Sequence, residues 1–173
     1  MVDEKLLRIF MQDHLAAATA GLELAKRARG ANRGTAYGDR LAQVADEIAE
    51  DREALEEMLR DLEFGADRAK NVGAWAGEKV GRLKLNGQLR GYSPLSRVVE
   101  LEALVGGISM KLSMWGILLE ISEQEPRLDP ARLRRLITRG EEQRRTVSEL
   151  RAEAARQAFL REGHGAARQS GSS

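Results

Sequence analysis

At 173 residues the chain is long enough for one domain with a sizeable core, and 42% apolar with 32% charged residues is the profile of a soluble globular protein, not a disordered one. A net charge of +1 supplies no long-range field to attract nucleic acid or an anionic membrane. The absence of cysteine excludes disulfides, thiolate catalysis and thiolate metal sites.

The N-terminal MVDEKLLRIFMQDH lacks the basic leader, apolar block and small-residue cleavage site of a signal peptide, so the expected location is the cytoplasm. Few aromatic and β-branched runs disfavour sheet. The pattern predicts an all-α fold of four long helices and a crossover.

The first helix is expected from about Asp3 to Arg29, with Leu7, Phe10, Met11, Ala18, Gly21, Leu22 and Ala25 along its apolar line. The loop GANRGTAYG ends it. A second helix runs from about Ala36 to Leu62, its line being Leu41, Val44, Ala45, Ile48, Leu55, Met58, Leu59 and Leu62. Residues 64–93 form a connection whose first part reads as a shorter helix with Val72, Trp75, Val80 and Leu83 on one side. Its second part, NGQLRGYSP, is turn chemistry. Ser93 and Pro94 open a third helix reaching about Glu123, and Asp129 and Pro130 open a fourth reaching about Arg161. The domain is therefore expected over 1–162, with a frayed tail at 163–173 that contains His164.

Short loops predict two antiparallel hairpins, and a connection long enough to run the length of the molecule lets the second and third helices run parallel. The third helix is apolar almost all round, which calls for burial on every side. Val105, Ile108, Leu112, Trp115 and Leu119 make one face, and Met110, Met114, Ile117 and Leu118 point the other way. The stretch LEALVGGISMKLSMWGILLEI is interrupted by Lys111 and flanked by glutamates, short of the ~20 clean apolar residues a membrane span needs. The crossover or a second subunit could cover its outer side, and the small residues Gly106, Ser109, Ser113 and Gly116 favour a homodimer through this helix. Its methionines read as packing residues before they read as a haem site.

Two core positions are polar. His14 falls within the apolar arc of the first helix, and Asp51 replaces an apolar residue between Ile48 and Leu55. Both lie equally far from the turn near Asn32 and Arg33, so an antiparallel hairpin puts them at one height. The same reckoning about Pro126 levels Ser109 with Gln143. Two readings follow. In one, His14, Asp51, Glu47 and Glu102 converge on a metal, with iron, manganese or zinc suited to imidazole and carboxylate. In the other, His14 and Asp51 form a buried pair that fixes helix register, with Arg52 closing the charge balance.

The stretches DHLAAATAGLELAKR and LAQVADEIAEDREALEEML, with the hairpin spacing and crossover length, resemble the ferritin-like superfamily, over about residues 3–160. The resemblance implies a ferritin-like four-helix bundle. Di-iron members carry Glu on two helices and Glu-x-x-His on the other two. No Glu-x-x-His occurs here, so the resemblance extends to the fold and not to iron oxidation or storage. The expected function is that of a non-catalytic bundle acting through homo-oligomerisation or protein partners, needing no cofactor. A metal-binding or redox protein with an atypical mid-bundle site is the alternative. The arginines of the fourth helix are interspersed with glutamates and lack stacking aromatics, so they read as a solvated face and not as a nucleic-acid surface. No phosphate-binding loop or nucleophile–His–acid set is present in the sequence.

Overall fold

A computed structural model describes residues 1–65 and 92–160. The helix expected around Trp75 and the tail with His164 lie outside the described residues. Among those described, the fold is all-α, with four long helices: α1 (Glu4–Ala31), α2 (Ala36–Asp61), α3 (Pro94–Ile121) and α4 (Pro130–Phe159).

The helices start where local chemistry dictates. Each N-cap side chain accepts a bond from an otherwise orphaned amide: Asp3 from Leu6 N, Thr35 from Gly38 N, Ser93 from Ser96 N and Asp129 from Ala131 N. Pro94 and Pro130 occupy the first turns of α3 and α4, where no amide is missed.

The end of α2 is a Schellman closure. Phe64 N–H donates to Leu59 O at 2.9 Å and Glu63 N–H to Arg60 O at 2.9 Å. The turn places Glu63 at φ 58°, in the left-handed region that a Cβ disfavours. Glu63→Gly should therefore stabilise the protein by about 1 kcal/mol, read as a rise in the urea midpoint without a change in slope.

Two apolar clusters fill the interior. One gathers Leu7, Met11, Leu15, Leu55, Met58, Trp115, Leu118 and Leu133. The other gathers Ala25, Leu41, Val44, Ile48, Leu101, Leu104, Ile108, Val147 and Leu150. Between them on α2, α3 and α4 lie Asp51, Lys111, Arg139 and Gln143. α3 packs most extensively on α4 and α1 on α2, while α1 also meets α3. At the α3–α4 contact a Cβ on Gly140 would meet Leu112 Cδ2 at 2.7 Å, so glycine sets the closeness of the two helices there. Polar links across the helices join Thr19 with Arg52 and Arg29 with Asp46, Arg97 with Gln157, Arg27 with Glu100, and Arg40 with Glu149.

α3 departs from its expected faces. Met114 and Leu118 point inward with Trp115 and Ile108. A separate line remains exposed: Leu95 at 48%, Val99 at 45%, Met110 at 46% and Ile117 at 42%. By length and composition α3 is also apolar enough to cross a membrane, where the interruption by Lys111 predicts otherwise. Helix-to-helix burial accounts for one side of that apolarity and the exposed line for the other.

At the end where α1 turns into α2, Asn32 is a buried hub. Its amide donates to Ala28 O and to the Tyr92 hydroxyl, each at 2.8 Å, and its oxygen accepts from Arg97 Nε at 2.7 Å. Tyr92 in turn donates to Glu100 at 3.0 Å. Burial, with Glu100 beside it, pushes the Tyr92 hydroxyl up to about 12. This hub ties the start of α3 to the α1–α2 loop.

Candidate functional site

Asp51 sits where the α2 pattern puts an apolar residue, and it is 1% exposed. A carboxylate so deep is stable only if its charge and lone pairs are met. Both oxygens are met. Arg139 donates to Oδ1 from Nε at 2.9 Å and again from its terminal nitrogen. Lys111 donates to Oδ2, as does Gln143 Nε2 at 3.1 Å. Gln143 Oε1 accepts from Lys111, so the amide is oriented by both neighbours at once. Arg139 also reaches Glu50 at 2.5 Å towards solvent. With Glu50 counted, the cluster sets the two carboxylates of Asp51 and Glu50 against the two cations of Lys111 and Arg139.

Lys111 projects from the apolar α3 into this layer. Burial lowers its pKa from the ordinary lysine value; the Asp51 carboxylate opposes that, and the Arg139 guanidinium adds to it. Desolvation outweighs the ion pair, as is usual for a cation held in a core.

The residues expected to surround Asp51 are dispersed. His14 is half-buried and does not pair with it. Its Nδ1–H donates to Phe10 O at 2.9 Å, and its ring rests on the Phe10 ring with centroids 4.3 Å apart. Glu47 accepts from Gln43, one turn back on its own helix. Glu102 is turned outward, 69% exposed, with Arg151 at 3.9 Å. Arg52 donates to Thr19 at 3.0 Å and to Glu56, and does not touch Asp51. Ser109 turns its hydroxyl back to Val105 O. The structure thus brings Asp51 together with Gln143 but not with His14, Glu47 or Glu102. Among the described residues no group of three or more His, Asp or Glu side chains gathers as metal ligands do.

The partners that sequence reasoning missed are Lys111 and Arg139. Lys111 was visible as the one charge inside an apolar run, read there only as an interruption. The height reckoning about Pro126 that pairs Gln143 with Ser109 falls about half a turn from Lys111.

Beside the charge cluster, α1 and α3 enclose a cleft of about 60 Å³. Its walls are small or apolar, with Ala17, Ala18 and Gly21 on α1 facing Gly107 and Met110 on α3. His14, Arg52, Lys111 and Trp115 also line it. The Trp115 side chain is fully buried and its Nε1–H has no hydrogen-bond partner among the described residues. No protein-family model matches the chain, and neither a curated protein nor a solved structure is significantly similar to it.

Proposed function

We propose that the protein is a non-catalytic, ferritin-like four-helix bundle that acts by self-association through the outer side of α3. The observation that carries this reading is the exposed line Leu95, Val99, Met110 and Ile117, whose spacing keeps all four on one side of a helix. Gly106 and Ser113 lie along the same side and let a second helix approach closely. The proposed bundle has α1–α2 and α3–α4 as antiparallel hairpins. Contacts such as Lys111 with Gln143 and Arg97 with Gln157 support this for α3–α4, because each joins residues nearly equidistant from the intervening loop. In this reading the apolarity of α3 serves a core and an interface, and the charge cluster holds the bundle in register.

The test is molar mass in solution by sedimentation equilibrium. The wild-type chain is expected to be a dimer, and Val99→Glu with Ile117→Glu to be a monomer of unchanged helicity. A monomeric wild-type chain sinks the proposal. Stoichiometric uptake of iron, manganese or zinc that is lost in His14→Ala would instead favour a metal-binding protein.

A further inference from the structure

We infer that the α1–α3 cleft is a binding site for a small monocarboxylate of two to four carbons, a class matched to the size of the cleft. The argument starts from which hydrogen-bonding groups are left over. Lys111 has three N–H bonds, and Asp51 and Gln143 take two of them. Trp115 Nε1–H, fully buried, has no partner among the described residues. Arg52 spends its Nε on Thr19 and one terminal nitrogen on Glu56, which leaves further N–H bonds. Asp51, the carboxylate that lines the same cleft, has both oxygens occupied. Apart from His14 Nε2, an acceptor at the same cleft, the unused capacity is that of donors, and its complement is an acceptor.

Asp51 and Glu50 balance Lys111 and Arg139, so what would draw an anion is local: the Lys111 ammonium, with one N–H to spare, in a low-dielectric wall that strengthens its attraction. Burial that lowers the Lys111 pKa is relieved when an anion sits beside the ammonium. Size and lining complete the class. A space of about 60 Å³ suits a ligand of few heavy atoms, and the methyl and glycine walls from Ala17, Ala18, Gly21 and Gly107 suit a short alkyl tail. Two carboxylate oxygens can bridge two donors, which a halide cannot. The cleft shares Met110 with the proposed interface, but Val99 and Ile117 do not line it, so the Val99→Glu, Ile117→Glu variant tests the cleft apart from self-association.

The experiment uses the full chain with its tryptophan indoles labelled with nitrogen-15, titrated with sodium propionate at constant ionic strength. Trp115→Phe assigns the Trp115 indole signal. A saturable shift of that signal is expected, absent with sodium chloride. Lys111→Met should weaken the response at least about tenfold. Ala18→Leu, which fills the cleft without touching the charge cluster, should abolish it and keeps the test valid if Lys111→Met does not fold. The inference is overturned if the Trp115 signal does not respond, if chloride moves it equally, or if Ala18→Leu binds as well as the wild type.

Discussion

Asp51→Ala should cost about 3–5 kcal/mol of folding stability, close to the limit of what one side chain can cost. The loss does not measure the strength of the ion pairs. Removing the carboxylate leaves Lys111 as a buried cation with only Gln143 to solvate it, and turns Arg139 towards Glu50. Burial already pushes the Lys111 pKa down while Asp51 is present, so without Asp51 the ammonium has lost its main counterweight. The proof lies in the companion variant. Asp51→Leu with Lys111→Met replaces charge by apolar side chains and should recover more than half of the loss, because desolvation then disappears from both sides. Chemical unfolding followed by circular dichroism gives both numbers. If the double variant is no better than Asp51→Ala, the cluster stabilises by more than charge balance. The pH dependence has a definite sign. Between the lowered folded pKa of Lys111 and the ordinary 10.5, the unfolded chain binds more protons, so stability rises with pH through that window. In Asp51→Ala the rise should begin at lower pH, and in Lys111→Met it should vanish.

How much of this was legible in the sequence follows from the kind of signal each feature leaves. Helix ends are local. A cap side chain and a proline act on amides a few residues away, so Ser93–Pro94 and Asp129–Pro130 could be read directly, and the structure starts α3 and α4 there. Asp51 as a buried polar residue was also legible, because periodicity alone reports a mismatch with the core face. Its partner was not. Equal distance from a turn fixes height along the bundle, but each side chain can look towards more than one neighbouring helix. His14 lies one step round α1 from the line Leu7, Met11 and Leu15, enough to turn it onto Phe10 and the cleft. Lys111 was hidden for the opposite reason. A single lysine in an apolar helix looks like a surface residue until the long stem is seen threading inward to a carboxylate on α2. The faces of α3 were hardest, since a helix apolar on all sides has almost no periodic signal to orient it.

Gly38→Ala should destabilise the protein by about 2–4 kcal/mol, against the ordinary sign of that substitution in a helix. Gly38 lies in the first turn of α2, where alanine would normally be favoured by its smaller loss of backbone freedom. A Cβ at this position, however, would stand 2.3 Å from Asn32 O and 3.0 Å from Asn32 C. Those are backbone atoms and cannot rotate aside. The carbonyl is also fixed by its own bonds, accepting from Thr35 N at 3.2 Å and from Thr35 Oγ1 at 2.7 Å. Moving it would break the α1–α2 loop bonds and drag the Asn32 side chain off Ala28, Tyr92 and Arg97. The damage would therefore reach the start of α3 as well as the loop. Gly30→Ala is the control: nothing lies within 4 Å of a Cβ there, so it should gain up to about 1 kcal/mol. Thermal unfolding of the two variants side by side should move the midpoints in opposite directions. If Gly38→Ala also rises, the close approach of Asn32 O to Gly38 is not what holds the α1–α2 turn.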